Sequence, residues 1–355
     1  MICSMLNIKY PIIQAGMAGG PTIPELVAEV SEAGALGTLG AGYMSPQQIK
    51  TALKNIQQLT RSPIAVNLFL PEPETHKMDE EAIQAMQQHL NTYRSKLGIP
   101  EVHDIPDVEN LFKKQLATVI EAGVKIVSFT FNAPSKRLVE DLHALEMVVI
   151  ATATSVKEAI HLESNGVDLI VAQGAEAGGH RGTFLNGESE SMIGTMALVP
   201  QVVDAVSCPV VAAGGIMDGR GMAAALTLGA SAVQLGTAFL TVKESGANTI
   251  HKQTILSSRD TDTKITKVFS GKSARGFKNK MMIDLESHIR DLPPYPLQHM
   301  LTSDIRREAA NQGNKEMMSM WAGQASALAQ VRSAGDLVRS LINQCDTALE
   351  KATWR

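Results

Sequence analysis

The pattern of hydrophobic positions predicts short buried strands that alternate with amphipathic helices. The apolar runs are unbroken and rich in β-branched or small residues, as is typical of parallel strands covered on both faces. The predicted strands are Pro11–Ala15, Ala35–Leu39, Pro63–Leu68, Val124–Phe129, Met147–Thr152, Val167–Gln173, Pro209–Ala213 and Ala232–Leu235. The predicted helices are Ile23–Ala33, Gln47–Leu59, Phe112–Ala122, Val156–Ser164, Met196–Val206 and Gly221–Leu228.

The number of strands distinguishes two α/β architectures. A (β/α)8 TIM barrel closes with eight strands, each followed by a helix, and spans roughly 250 residues, as this pattern does. An open, doubly wound sheet would instead carry a GxGxxG turn that opens a helix after the first strand. The glycines of Gly34–Gly42 lie within and around the second strand. We therefore predict a TIM barrel.

Two segments interrupt the alternation. Residues 71–110 are polar and proline-rich around one predicted helix, Glu80–Arg94, and form an expected insertion after the third strand. After Leu240 the alternation stops, and residues 243–355 are predicted to form a mostly helical extension that packs back on the barrel. The predicted domains are thus a barrel over residues 1–242, including the insertion, and the extension over residues 243–355.

Composition and charge limit the partners. The net charge of -4 and the short, mixed charge runs predict neither a nucleic-acid surface nor a basic membrane surface. No apolar stretch reaches the ~20 residues of a membrane helix, and the N-terminus has no signal-peptide pattern. Three scattered cysteines fit a reducing cytoplasm and disfavour a metal site or a disulfide framework. We expect a cytoplasmic monomer or homodimer that acts on a small molecule.

The most informative motif is Gln173–Gly182, which directly follows the sixth predicted strand. Its glycines allow the backbone to approach a flat ligand closely, and they leave His180 at the mouth of the barrel. An imidazole with an unperturbed pKa of about 6.5 holds or releases a proton near neutrality. For this segment alone, a glycine-rich surface turn with a solvated histidine is the alternative. With the rest of the chain, His180 becomes the candidate catalytic residue.

Glycine-rich segments also follow the seventh and eighth strands, where TIM barrels commonly bind phosphate. The first segment is Ala213–Gly221 and the second is Gln234–Phe239. Backbone N–H groups at two helix starts, with the Thr237 hydroxyl, would face one anion. A tight turn is the alternative for either segment alone. Their presence at both expected strand ends predicts a phosphate site made by Gly214, Gly215, Gly236 and Thr237.

A planar ring would fit between this phosphate site and His180. The first strand ends in small residues, Ala15–Gly20. Asn67 and Gln173 end the third and sixth strands with amides that suit the polar edge of an isoalloxazine ring or a base. For each amide, the capping of a loop is an equal alternative.

In order and spacing, these segments resemble the nitronate monooxygenase family, formerly called 2-nitropropane dioxygenase, of the class I type. The matching segments are Tyr10–Gly19, Gln173–Gly182, Ala212–Gly221, Gln234–Phe239 and Met320–Gln324. The resemblance implies an FMN-bound TIM barrel with a catalytic histidine at His180. Motifs and resemblance together give the expected cofactor-binding residues: Ala15, Gly16, Met17, Asn67, Gln173, Gly178, Gly179, Gly214, Gly215, Gln234, Leu235, Gly236, Thr237, Trp321, Gly323 and Gln324.

The resemblance also implies an activity. Alkyl nitronates such as propionate 3-nitronate would be oxidised with O2 to carbonyl compounds and nitrite, with FMN carrying the redox chemistry. His180 would take the α-proton of a neutral nitroalkane or hydrogen-bond a nitronate. The alternatives are an FMN-dependent enoyl-acyl carrier protein reductase, an NAD(P)H:quinone reductase of the same superfamily, and a non-catalytic flavin- or phosphate-binding barrel. Gln173–Gly174 and Trp321–Gln324 favour the monooxygenase.

Several neighbouring side chains receive separate predictions. Close relatives have Thr-Phe-Gly after the fourth strand, whereas this chain has Asn132 at the third position, which we expect to narrow or polarise the pocket. Arg181 is expected to be solvated, with attraction of an anion as the alternative. Glu176 is expected to orient its loop, and Cys208 to lie in the core. Tyr295 either covers the site or simply packs.

Overall fold

The structure is a computed structural model that describes residues 2–71, 80–106, 110–185, 187 and 189–352. Parts of the predicted insertion, residues 72–79 and 107–109, therefore lie outside the described residues. The strands are β1 (Ile12–Gln14), β2 (Gly37–Gly40), β3 (Ile64–Phe69), β4 (Ile126–Thr130), β5 (Val148–Ala153), β6 (Leu169–Gln173), β7 (Gly179–His180), β8 (Val210–Ala213), β9 (Ala232–Leu235), β10 (Thr263–Thr266) and β11 (Ala274–Phe277).

The helices fall between and after these strands. They are α1 (Ile2–Leu6), α2 (Pro24–Glu32), α3 (Pro46–Leu59), α4 (Glu80–Leu97), α5 (Phe112–Glu121), α6 (Lys136–His143), α7 (Val156–Ser164), α8 (Thr195–Ala205), α9 (Gly219–Thr227), α10 (Thr237–Leu240), α11 (Thr249–Leu256), α12 (Lys280–Asp284), α13 (Leu297–Leu301), α14 (Ser303–Asn311) and α15 (Ala334–Lys351). Every predicted helix is present. The short helix α6 was not predicted, because it buries only Val139 and Leu142.

The predicted TIM barrel is confirmed. Its eight parallel strands follow the order β1-β9-β8-β6-β5-β4-β3-β2, and a parallel bridge between Ile13 and Leu36 joins the two ends. The register pairs Gln14 with Leu235 and Gln173 with Ala213. The carboxyl ends of these strands therefore meet at one rim, as the sequence requires for a shared site.

The continuous apolar runs are explained by burial on both faces of each strand. Along β6, Leu169 and Val171 belong to one hydrophobic cluster, whereas Ile170 and Ala172 belong to another that includes the surrounding helices. Because strand side chains alternate between faces, one set fills the barrel and the other packs under the helices. Ile2 and Leu6 of α1 join the inner cluster.

The last third of the chain contacts the barrel at several places. Helix α15 packs against α9 and α2, and the Gln344 side chain accepts a hydrogen bond from the Gly219 backbone (3.1 Å). Helix α14 packs against the insertion helix α4, where Arg94 pairs with Asp304 (2.7 Å). The division of the chain at residue 242 stays a prediction.

This last third also contains a small sheet that the pattern did not predict. Strands β10 and β11 form an antiparallel pair, and β11 also pairs with β7, with Ala274 opposite His180. The three strands are each at most four residues long and mix polar or charged residues with small ones. None of them therefore shows the alternation of hydrophobic residues from which a strand is predicted. The consequence is that His180 is held by a strand from the end of the chain.

Candidate active site

A cavity of about 620 Å³ opens at the carboxyl ends of the barrel strands. This volume is typical of a small-molecule or cofactor site. His180 and nearly all of the expected cofactor-binding residues line it. Two do not: Leu235 is buried among apolar residues, and Gln324 contacts Glu176 through its backbone N–H (2.9 Å). The lining residues are Ala15, Gly16, Met17, Asn67, Gln173, Gly178, Gly179, His180, Gly214, Gly215, Gln234, Gly236, Thr237, Trp321 and Gly323.

One side of the cavity is built mainly of backbone; we call it the glycine wall, defined as Gly16, Gly178, Gly214, Gly215, Gly236 and Gly323. A Cβ at Gly178 would lie 2.5 Å from backbone atoms of Ala322 and Gly323, so only glycine fits there. Gly214 and Gly215 have φ angles of 111° and 72°, which glycine adopts readily. Such a wall lets a flat ligand lie against the main chain.

The Thr237 hydroxyl joins two parts of this wall. Its Oγ1 atom accepts a hydrogen bond from the Gly323 N–H (2.9 Å). A hydroxyl has one proton and two lone pairs, so Thr237 keeps its own proton for a ligand. The Met320–Gln324 segment is thereby tied to the start of α10, as expected for segments of one site.

Glu176 orients its loop, as the sequence indicated. Its carboxylate accepts hydrogen bonds from the backbone N–H and the hydroxyl of Thr195 (both 2.9 Å). The Thr195 hydroxyl also lies 2.9 Å from the Gly214 carbonyl. This network fixes the backbone at the carboxyl end of β8.

His180 lies on β7, between the glycine wall and a group of aromatic side chains. Its ring centroid is 5.3 Å from that of Trp321 and 5.5 Å from that of Phe131. Burial, together with the positive charges of Lys272 and Arg306, lowers the pKa of His180 to about 3. The imidazole is therefore neutral at pH 7, and the expectation that it titrates near neutrality is wrong for this geometry.

The two predicted amides line the cavity and also brace the structure. The Gln173 amide donates to the His180 carbonyl (3.0 Å) and accepts from the Gly182 N–H (2.8 Å), so it holds the loop that carries the histidine. The Asn67 amide donates to the hydroxyls of Ser128 (2.9 Å) and Thr130 (3.1 Å). Within the described residues, Asn67 Oδ1 has no hydrogen bond and is available to a ligand.

Arg181 is neither solvated nor placed to attract an anion, so both predictions for it are wrong. Its side chain is completely buried and donates to the carbonyls of Gly174 (2.6 Å), Gln173 (2.9 Å) and Ser191 (2.7 Å). The planar fork of a guanidinium suits several carbonyls at once. Burial lowers the pKa of Arg181 to about 10, which leaves it charged at pH 7. Arg181 thus stabilises the conformation of the loop after β6.

Asn132 does not narrow or polarise the pocket, which corrects the prediction made for it. Its side chain donates to the Pro71 carbonyl (3.0 Å) and accepts from the Ala133 N–H (2.9 Å), away from the lining residues. The preceding Phe131 lines the cavity instead, with a φ of 81° that is rare for a bulky residue. Cys208 packs against the main core, as predicted.

Four further rings line the cavity, and Tyr295 packs against two of them; we call the group the aromatic wall, defined as Tyr43, Phe69, Phe131, Tyr295 and His299. Tyr43 stacks on His299 with centroids 4.1 Å apart, and Phe131 contacts the ring of Tyr295 at 5.1 Å. Tyr295 therefore packs beside the site, 6.1 Å from the His180 ring. The other members carry no local motif, and their separation along the chain hides them from sequence reasoning.

A cation completes this side of the cavity. Helix α14 presents Ser303, Arg306, Arg307, Ala310 and Asn311 to it, at the spacing of one helical face. Arg306 donates to the His299 carbonyl (2.8 Å) and lies 3.1 Å from the Thr302 hydroxyl. Its Nη1 atom has no hydrogen bond among the described residues. Burial, with the charge of Arg306, lowers the pKa of His299 to about 2, so His299 is neutral and Arg306 carries the charge.

Two kinds of feature are absent from the part of the chain that the structure describes. No group of three or more His, Cys, Asp or Glu side chains there is arranged to hold a metal ion. None of the helices described combines the length and the apolar character that crossing a membrane requires.

A histidine beside a glycine-lined cavity at the carboxyl ends of eight parallel strands defines a TIM-barrel enzyme. The family model described as nitronate monooxygenase matches residues 1–344, and the chain belongs to this family of oxidoreductases. A probable nitronate monooxygenase from Staphylococcus haemolyticus is 48% identical over 97% of this chain and 96% of its own length. A second from Staphylococcus aureus strain Newman is 46% identical over 98% of each chain.

Two solved structures share this fold. The nitroalkane oxidase from Streptomyces ansochromogenes superimposes with a TM-score of 0.90 at 35% identity and covers 99% of both chains. FabK from Thermotoga maritima superimposes with a TM-score of 0.79 at 29% identity, over 99% of this chain and 97% of that one.

Proposed function

We propose that the protein is an FMN-dependent nitronate monooxygenase. It would oxidise alkyl nitronates, such as propionate 3-nitronate, with O2 to carbonyl compounds and nitrite. The observation that carries the proposal is the neutral His180 imidazole, placed between a glycine wall and a cationic, aromatic wall. A cytoplasmic location, a role in detoxification and a monomeric or homodimeric state remain part of the proposal.

The residues of the glycine wall fit FMN. The close approach of Gly178 to the Ala322–Gly323 backbone leaves main chain along this side of the cavity, and the Thr237 hydroxyl keeps a proton for an anion. Gly214, Gly215, Gly236 and Thr237 would hold the phosphate. Ala15, Gly16 and Met17 would support the ring, with the Asn67, Gln173 and Gln234 amides at its polar edge. Gly178, Gly179, Trp321 and Gly323 would enclose it, with Leu235 and Gln324 contributing backbone only.

Bound FMN would accept electrons from the nitronate and pass them to O2. The protein controls the proton. A neutral nitroalkane must lose its α-proton before it can donate electrons, and the neutral His180 imidazole has a lone pair to take it. A preformed nitronate has already lost that proton and needs no such step.

Arg306 supports a substrate that carries a second negative charge. Its Nη1 atom is free of hydrogen bonds within the described residues, and its charge is close enough to lower the pKa of His180. Propionate 3-nitronate bears a carboxylate in addition to its nitronate group. A guanidinium beside the reacting end would bind that carboxylate and orient the molecule.

The proposal is tested by anaerobic mixing of the purified yellow protein with propionate 3-nitronate and, separately, with NADPH. Rapid bleaching of the flavin by the nitronate, with FMN released on denaturation, is the expected result. Rapid bleaching by NADPH with no response to the nitronate would instead assign the protein to the enoyl-acyl carrier protein reductases or the NAD(P)H:quinone reductases. A colourless protein that takes up no added FMN would refute the cofactor.

A further inference from the structure

We propose that Ser270 is a positioning residue that sets the tautomer of His180. It would hold the proton on Nε2 and leave the Nδ1 lone pair toward the cavity as the proton acceptor. The role of Nδ1 as the acceptor of a substrate proton rests on the proposed function, whereas the assignment of the tautomer does not.

The contact is direct and buried. Ser270 is 1% exposed, and its Oγ atom lies 2.8 Å from His180 Nε2. The same Oγ lies 3.1 Å from the Lys272 carbonyl oxygen and 3.4 Å from the Lys272 backbone N–H. Ser270 is thus in contact with three polar groups, although a hydroxyl has only one proton to donate.

Counting protons and lone pairs selects one arrangement. If the Ser270 proton goes to the Lys272 carbonyl, the two lone pairs of Oγ accept from His180 Nε2–H and from the Lys272 N–H. All three contacts are then hydrogen bonds. If the proton goes to Nε2 instead, two oxygen atoms face each other at 3.1 Å without a proton between them. Because unmade hydrogen bonds in buried places are costly, the first arrangement is favoured.

The opposite ring nitrogen is placed to act on a substrate. Nδ1 of His180 has no hydrogen bond within the described residues, and His180 lines the cavity. When Nδ1 takes a proton, the bond from Nε2–H to Ser270 is unchanged. The imidazolium therefore keeps its partner at a position where burial otherwise disfavours the charge.

The loop that carries Ser270 is held on several sides. The carbonyls of Val268 and Phe269 accept hydrogen bonds from Gln298 (2.8 Å) and Thr302 (2.6 Å). Gly271 has a φ of 80°, and a Cβ there would lie 2.3 Å from the Pro293 carbonyl oxygen. On the other side, the Ser273 carbonyl accepts from the Arg181 N–H (2.8 Å). A hydroxyl on this loop has little freedom to leave the imidazole.

The first test reads the tautomer without measuring activity. Two-bond 1H–15N correlation spectra of the FMN-loaded protein, with histidine labelled, identify which imidazole nitrogen of His180 carries the proton. We expect protonated Nε2 and unprotonated Nδ1 in the wild type, and a mixture in Ser270→Ala. Ser273→Ala is the matched control, since it removes a hydroxyl three residues away that does not contact His180. Protonated Nδ1 in the wild type, or an unchanged spectrum in Ser270→Ala, would overturn the proposal.

The second test connects the tautomer to turnover. We expect Ser270→Ala to lower kcat for neutral nitroethane about 10- to 100-fold, as removal of a partner that orients a reacting side chain does. KM for nitroethane and oxidation of preformed ethyl nitronate should change little, and Ser270→Thr should restore much of kcat. Equal losses on both substrates would reject the positioning role. If neither substrate is oxidised while the spectra still show the tautomer shift, the proposed function fails and the positioning stands.

Discussion

The two walls of the cavity are built by different means. The glycine wall consists of backbone at the ends of barrel strands, and its fit depends on the absence of side chains. The aromatic wall consists of side chains from strand ends and from α13, backed by Arg306 of α14. The first offers N–H groups and flat space, which suit a cofactor. The second offers rings and the guanidinium groups of Arg306 and Arg307, which suit selection among small anionic substrates.

This difference indicates which residues select the substrate. A change in the glycine wall acts on everything that depends on the cofactor, whereas a change in the aromatic wall or Arg306 acts on one substrate relative to another. His180 lies between the two walls and belongs to neither. Substitutions in the glycine wall, at Arg306 and at His180 are therefore expected to impair different functions: cofactor binding, substrate preference and proton transfer.

The largest expected effect is at His180. Replacement His180→Asn should keep FMN bound but lower turnover of neutral nitroalkanes by ~10²–10⁴-fold, the usual loss when a general base is removed. Oxidation of preformed nitronates should suffer less, because they need no proton abstraction. Steady-state rates on nitroethane and ethyl nitronate make the comparison. Equal losses would leave His180 as a binding residue, and full activity would exclude it from the chemistry.

A change in the glycine wall should weaken the cofactor and leave substrate preference alone. In Gly178→Val the new side chain would meet the Ala322 and Gly323 backbone, where overpacking costs about 1–3 kcal/mol. Because the clash would displace Gly323, which lines the cavity, we expect the FMN dissociation constant to rise about 10-fold or more, equivalent to about 1.4 kcal/mol of binding free energy. Flavin fluorescence titration measures it. Gly221→Ala, whose Cβ would have ordinary contacts from 3.4 Å, is the control and should bind FMN normally.

A change at Arg306 should alter substrate preference and leave FMN binding unchanged. Arg306→Met removes the charge that faces the substrate but keeps a side chain of similar length. We expect kcat/KM for propionate 3-nitronate to fall about 10-fold, the scale of one hydrogen bond to a charged group. Activity on ethyl nitronate, which has no carboxylate, should stay near the wild-type value. A proportional loss on both substrates would show that Arg306 supports the wall rather than selects the substrate.

The last expected effect concerns stability and leaves activity aside. His251 lines the cavity beside Trp321, with Nε2 2.9 Å from the Trp321 carbonyl oxygen, and burial lowers its pKa to about 4. In the unfolded chain its pKa is about 6.5, so the unfolded state binds a proton that the folded state excludes. The free energy of unfolding should therefore fall as the pH drops from about 6.5 toward about 4, by up to about 1.4 kcal/mol per pH unit.

Urea unfolding at several pH values checks this prediction for His251. His251→Gln keeps an N–H donor for the Trp321 carbonyl but has no group that titrates in this range. Its free energy of unfolding should depend less steeply on pH than that of the wild type. Identical slopes for the two proteins would contradict the assignment.

The sequence predicts the barrel and the glycine wall well because both are encoded locally. A buried parallel strand is an apolar run, and a close backbone approach is a glycine in a fixed place, so Gly178 and Gly215 were recognisable. Tyr43, Phe131 and His299 follow no such pattern, since only the folded chain brings them together. Arg181 was misjudged because the carbonyls that surround it are a property of the folded loop.

The pairing of β7 with β11 determines when the site can form during synthesis of the chain. During synthesis the N-terminal parts of a chain fold first. All eight barrel strands are made before β11, the strand that pairs with His180, and before Ser270 and Trp321 leave the ribosome. A barrel that has closed early thus lacks an ordered base. We therefore expect a chain that ends before β11 to be inactive.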